Sequence, residues 1–397
     1  MPEPATLARP PARAWLSYGF RPFFLLGAAW AIVTLAVLIA AYTAGAWPAT
    51  APPVGRWHGH EMLFGFVAAA IAGFLLTAVP TWTASAPVAG GRLAALAALW
   101  LAGRAVMSPW LGLDDTAAVW LDVAFFPAVG VAIGVALIGA RNYRNFQFLL
   151  LLAVLAGTDA LFHAAALGLV APLPFDPLRL AADVVMVMIA VIGGRIVPLF
   201  TRNALLRAGV QAKFAPRPWL ERASIGALAA VLFVDVLEPD SRGAGLLALV
   251  AGALLAARLA GWHGHRALAM PIVWILHVGY GWVVVALALK AAWLLGGAPW
   301  AINWLHALTA GAFGTMILGV TTRVALGHTG RPLVVAPPIV LAYGLVIAGA
   351  LLRVFGPVLL PAQTVTLLAV AMLAWAGAFA IFLIVYVPIL IAPRADA

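Results

Sequence analysis

Eight histidines in a chain of 397 residues without a single cysteine are the side chains here best suited to chemistry. Six of them, His58, His60, His163, His277, His306 and His328, lie in or beside long apolar runs. An ionisable side chain in hydrocarbon is costly to bury, and it persists where it binds something, moves protons or holds a cofactor. Without cysteine the chain alone builds no thiolate zinc site, no four-cysteine iron–sulfur cluster and no c-type haem attachment. Any metal must rest on imidazole, carboxylate, thioether or phenolate.

Spacing narrows the choice. His58-Gly59-His60 is a short HxH segment expected at a helix start, where glycine gives the backbone freedom and two imidazoles can meet one metal. Glu61, Asp122 and Asp183 are expected at a similar depth. Asp159 precedes His163 by four residues and shares its helix face. A carboxylate placed so fixes the imidazole tautomer and strengthens the other ring nitrogen as a ligand; capping and solvation are its competing roles. His277 and Tyr280, three residues apart, suit metal ligation or proton delivery, against a plain hydrogen bond between helices. Trp57 and Trp304 stand beside histidines, where an indole packs on a porphyrin or joins an ordinary aromatic belt. His263-Gly264-His265 after Trp262 repeats the string of residues 57–60, but its flanks do not, and a histidine beside the membrane is usually solvated. Arg195 follows Gly193-Gly194 and precedes Pro198, a weakened helix that exposes backbone groups. With Arg323, His328 and Arg331 it suggests a basic region for phosphate, propionate or lipid headgroups, although sidedness alone accounts for it too.

The elements that must position these groups are membrane helices. The chain is 65% hydrophobic and 9% charged, with a mean hydropathy of +1.07. A soluble domain would be about 25% charged, so the fold class expected is an all-α polytopic membrane protein, one transmembrane domain over 1–397 with residues 1–20 as a short tail. Twelve apolar runs of spanning length cover 22–44, 60–82, 92–111, 117–140, 145–170, 178–201, 218–237, 243–261, 270–295, 302–326, 334–356 and 364–391. The net charge of +10 does not point to nucleic acid, because the basic residues fall in short connections with no interleaved aromatic surface. Sixteen of the 23 Lys and Arg lie in the tails and the even-numbered connections, Lys213 among them, against Arg56, Arg179, Arg242 and Arg353 on the other side. The positive-inside rule then puts both termini in the cytoplasm, with Asp114, Asp115, Asp176, Glu238 and Asp240 facing outward. Arg104, Arg195 and Lys290 remain within spans. On this topology His58, His60, His163 and His306 lie near the outer face, and His277 and His328 nearer the cytoplasm.

Four strings resemble a known family: Tyr18-Gly-Phe-Arg-Pro-Phe-Phe24, Trp57-His-Gly-His-Glu-Met-Leu-Phe-Gly-Phe66, Gly193-Gly-Arg-Ile-Val-Pro-Leu-Phe-Thr201, and His306 through Arg331. With His277-Val-Gly-Tyr280 they closely resemble the NnrS family across essentially the whole chain. The resemblance implies a bacterial inner-membrane protein containing non-covalent b-type haem and copper, linked to nitric oxide metabolism and tolerance of nitrosative stress. It implies metal or haem roles for His58, His60, His277, His306 and His328; His163 rests on depth alone. It does not imply a reaction, and an enzyme here would be an oxidoreductase acting on nitric oxide, its electron donor unknown. Likeness to the catalytic subunit of haem–copper oxidases is an analogy of fold, and the chain lacks an adjacent His-His pair and a His-x-His near the tenth span. Two other classes stay open: a transporter in which Arg104, Lys290, Asp122 and Asp183 line an ion route, and a haem-bound sensor or assembly partner without turnover.

Overall fold

The computed structural model describes residues 14–49, 51–111, 116–211, 214–215 and 217–396. Most of the amino-terminal tail and Asp114, Asp115 and Lys213 lie outside them. Among the described residues, ten helices are long and apolar enough to cross a membrane. They are α1 (Phe20–Ala44), α2 (Val54–Thr83), α4 (Thr116–Val123 running on as Phe125–Gly139), α5 (Gln147–Ala166), α6 (Pro177–Arg207), α8 (Arg242–Ala260), α9 (Pro271–Gly296), α10 (Pro299–His328), α11 (Pro337–Leu359) and α12 (Thr364–Ile391). The other two expected spans are helical but fall short. Helix α3 (Gly91–Val106) has 16 residues, about 24 Å of rise. Helix α7 (Pro218–Leu237) carries Glu221, Arg222 and Asp235 within 20 residues. The protein is all-α and polytopic.

Consecutive helices pack as antiparallel neighbours, α8 against α9 and α11 against α12 most extensively, while α1 closes the bundle against both α2 and α12. Val131, Val135 and Ile138 form an exposed stripe on α4. A fully apolar outer stripe is what lipid solvates and water does not. The described ends of the chain meet on one side. Arg21, buried at the start of α1, donates from Nη1 to the carbonyls of Leu390 (2.7 Å) and Ala392 (2.6 Å). These are carbonyls that the last turn of α12 cannot satisfy internally, and a guanidinium also opposes the negative end of the helix dipole. Arg394 likewise reaches the carbonyl of His328 at 3.4 Å. At the opposite end Arg56 pairs with Asp176 at 2.6 Å and Arg179 with Asp240 at 2.9 Å, so the residues expected to share the outer side do share an end.

Two helices depart from α geometry in the same way. In α2 a π-helical stretch runs Glu61–Val67, directly after His60; in α10 one runs Ala307–Phe313, directly after His306. A π turn loosens the backbone hydrogen-bond register and is found mostly at functional positions. Each stretch gives up a carbonyl to an indole: Trp100 Nε1 donates to Gly65 O and Trp375 Nε1 to Ala310 O, both at 3.1 Å. The indoles stabilise a local geometry that would otherwise leave polar backbone unpaired in the bundle.

Candidate metal centre

Helix α2 begins at Val54 rather than at His60, so His58 and His60 both sit inside it. Residues two positions apart on an α-helix point about 200° apart. The two imidazoles therefore diverge and do not share a metal, and the expected joint HxH ligation gives way to two separate sites.

His60 turns inward to meet α4 and α5. Its Nε2 lies 3.0 Å from Asp159 Oδ1 and 3.3 Å from Asp122 Oδ2. His163 Nε2 faces the same two oxygens, 3.3 Å from Asp122 and 3.5 Å from Asp159. The spacing of Asp159 and His163 on α5 does put both on one face. One atom from each of His60, Asp122, Asp159 and His163 lies within 4.8 Å of the others, and all four residues are buried. Two imidazole nitrogens and two carboxylate oxygens converging on one point suit a borderline divalent transition metal.

The supporting groups are as ordered as the donors. Glu61 Oε1 stands 3.0 Å from His60 Nδ1 and accepts from Arg104 Nη1 at 2.7 Å, while its Oε2 accepts from Trp30 Nε1 at 2.7 Å. Arg104 also grips Asp122 through Nη2. Glu61 thus holds the His60 ring by the nitrogen that faces away from the centre, the usual carboxylate–histidine–metal relation. Close approach depends on two glycines. A Cβ at Gly103 would lie 2.5 Å from Asp122 Oδ1, and one at Gly65 would lie 2.5 Å from Trp30 Cδ1 and 3.1 Å from Arg104 Nη1. The rings of Phe64 and Phe162, 4.9 and 4.6 Å from that of His60, shut water out. With both imidazoles neutral, as ligands must be, three carboxylates stand against one guanidinium, and a buried excess of that sign is balanced by a cation.

His58 turns the other way, and its buried Nδ1 has no hydrogen-bond partner among the described residues. It lies within electrostatic reach of His306 and Arg353. Arg353 Nη2 donates to His306 Nε2 at 3.0 Å and its Nη1 donates to Asn303 Oδ1 at 3.1 Å. The four outer histidines thus form two pairs.

The remaining candidates are engaged elsewhere. Asp183 joins Asp235, Lys290 and Arg179 rather than any histidine; Lys290 grips Asp235, and its ammonium lies over the Trp304 ring at 4.9 Å. His277 Nε2 is 2.8 Å from Thr201 Oγ1, and Tyr280 OH takes a bond from Arg258 Nη1 at 3.3 Å. Both are hydrogen bonds between helices, the plainer of the two readings of that pair. The ring of His328 lies 5.6 Å from that of Phe20. Arg195 donates to Asn145 Oδ1, Arg323 stacks 3.7 Å over Phe200, and Arg331 donates to Thr329 O, each with its own partner. Trp57 donates to Met107 O at 2.7 Å and packs on Trp47, so it caps α3. Sequence reasoning did not single out Arg104 and Trp30 as supports, or Asn303 and Arg353 as neighbours of a histidine. An arginine inside a span was the available signal for Arg104.

A protein-family model described as NnrS protein matches residues 14–394. No curated protein matches the chain.

Proposed function

The chain thus belongs to the NnrS family, and we propose that it acts on nitric oxide in the bacterial cytoplasmic membrane through a copper ion held by His60, His163, Asp122 and Asp159. The observation that carries this is the buried donor set, in which three carboxylates converge around two imidazoles and one guanidinium. Both fit a divalent cation, and mixed nitrogen and oxygen donors suit Cu(II). When bound, copper supplies a one-electron couple and a position for a diatomic ligand. Nitric oxide and relief of nitrosative stress come from the family resemblance.

The chain's own residues do the rest. Glu61 accepts a hydrogen bond from His60 Nδ1–H, which leaves Nε2 free to ligate. Arg104 fixes Asp122 from behind through Oδ1, so that Oδ2 is the oxygen offered to the centre. Phe64 and Phe162 keep the surroundings apolar. The arginine and lysine that motivated an ion route are closed in ion pairs, Arg104 with Glu61 and Asp122 and Lys290 with Asp235. The excess of basic residues on the side where both described ends lie supports cytoplasmic termini.

Haem is a different matter. A mostly apolar cavity of about 80 Å³ lies between α1, α2, α6 and α10, lined by Phe24, Phe74, Met188 and Met316 among others. Among the described residues no histidine lines it, so it does not fit a histidine-ligated haem, and the metal centre carries the proposal alone.

The test is metal analysis of detergent-purified protein expressed with copper, zinc and iron supplied in turn, followed by electron paramagnetic resonance before and after nitric oxide. About one copper per chain, a spectrum with nitrogen coupling that nitric oxide abolishes, and loss of both in Asp159→Asn are expected. A protein that takes up no stoichiometric metal under any supply sinks the proposal.

A further inference from the structure

On the outer end of the bundle, Arg56, Arg104, Arg179 and Lys290 each meet a carboxylate. Among the described residues, Arg353 does not. Its guanidinium binds two neutral acceptors, Asn303 Oδ1 at 3.1 Å and His306 Nε2 at 3.0 Å. Accepting that bond also makes His306 the neutral tautomer with its proton on Nδ1. Asn303 cannot turn to offer anything else, because its Nδ2 is tied to Val354 O at 2.9 Å. The guanidinium has five N–H groups, and these contacts use two of them. His58, within electrostatic reach of Arg353 and His306, has a buried Nδ1 with no hydrogen-bond partner among the described residues. A half-buried cation with unused donors, near an imidazole with an unused ring nitrogen, is a site of one sign.

A second metal ion is the wrong occupant, because it would sit against the guanidinium. We propose that Arg353 and His58, braced by His306 and Asn303, bind a small inorganic monoanion such as nitrate or chloride. Charge-assisted hydrogen bonds from the planar guanidinium supply most of the attraction, and His58 donates from Nδ1. The site does not depend on the metal centre, although the two flank the same turn of α2.

Equilibrium dialysis of labelled chloride against protein in neutral detergent, with gluconate holding ionic strength constant, tests this directly, and nitrate serves as competitor. One saturable site per chain, displaced by nitrate, is expected. It should persist after the metal is stripped with chelator. Arg353→Gln should weaken it by about 10–100-fold, and His58→Phe by about tenfold, with metal content unchanged in both. Absence of saturable binding in the wild-type protein overturns the proposal, as does binding that survives Arg353→Gln unchanged or vanishes with the metal. Displacement of chloride by added phosphatidylglycerol would assign the site to a lipid headgroup and overturn it as well. Because the wild-type and metal-stripped measurements decide the matter, a variant that fails to fold leaves the test intact.

Discussion

Replacing Glu61 by glutamine exchanges one oxygen for an amide nitrogen and should loosen the metal centre by about one to two orders of magnitude. Three donors converge on this carboxylate: Trp30 Nε1–H on Oε2, and Arg104 Nη1–H together with the His60 Nδ1 position on Oε1. A carboxylate accepts them all; an amide has one oxygen and one NH₂. If the introduced amide turns its nitrogen toward Trp30, two donors face each other in a dry site and one hydrogen bond is lost, at about 1–3 kcal/mol. If it turns its nitrogen toward His60, Arg104 loses its acceptor and the imidazole becomes an acceptor at Nδ1. The His60 proton then moves to Nε2, where it blocks the lone pair that faces Asp159 and Asp122.

Both orientations are unfavourable, and the loss of support behind a metal-bound histidine is worth about 10–100-fold in affinity, or about 1.4–2.7 kcal/mol. The assay is competition for copper against graded chelators, read as metal per chain in folded, monodisperse protein. Histidine ¹⁵N shifts of the metal-free protein report the tautomer alongside it. Unchanged copper affinity, within a factor of about two, together with an unchanged His60 tautomer would refute the reasoning, because it would mean that Glu61 neither orients His60 nor shares in the charge of the centre.

Other outcomes follow from the same geometry. His163→Ala and Asp159→Asn should each abolish stoichiometric metal, whereas His277→Ala should leave metal content untouched and lower stability by about 1 kcal/mol through the lost bond to Thr201; metal analysis and thermal denaturation separate the two. Gly103→Ala should empty the centre, its new Cβ meeting Asp122 at 2.5 Å, while Gly130→Ala on α4, with nothing within 4 Å, should bind metal normally. Arg21→Met should lower the thermal midpoint without loss of metal, since two charge-assisted bonds to α12 carbonyls disappear, together about 3–6 kcal/mol at most.

The helices were legible because hydrocarbon imposes a single rule, about 20 apolar residues per crossing, and the chain obeys it from Phe20 to Ile391. The two helices that fall short show its limits: α3 is too short, and α7 carries three charged residues, of which Asp235 is buried against Lys290. Depth, read from topology, grouped His58, His60, His163 and His306 with Glu61, Asp122, Asp159 and Asp183, and of these His60, His163, Asp122 and Asp159 meet in the structure. Depth is linear along a helix. Azimuth is not. It depends on where the helix starts and how it is rotated by packing, so a start placed at residue 60 brings His58 and His60 together when the actual start at Val54 separates them. The same gap explains Asp183, which has the right depth but faces α7 and α9 rather than α2. Arg353 went unread for a further reason, since an outer arginine is already explained by sidedness until its neighbours are seen to lack a carboxylate.

The divergence of His58 and His60 also explains why charge can be so unevenly distributed within one turn of α2. On the face toward α4 and α5, carboxylates exceed guanidinium by two; on the face toward α10 and α11, Arg353 stands without a counterion among the described residues. Either imbalance alone would be costly in a low-dielectric interior. A cation bound on one face and an anion on the other would neutralise both. The π-helical stretches begin directly after His60 and His306, one histidine of each pair, and are held by Trp100 and Trp375. A helix register that departs from α geometry on each side of the sites, and is stabilised by an indole each time, holds its histidines at positions that regular α geometry would not supply. The backbone irregularity therefore marks one histidine of each pair.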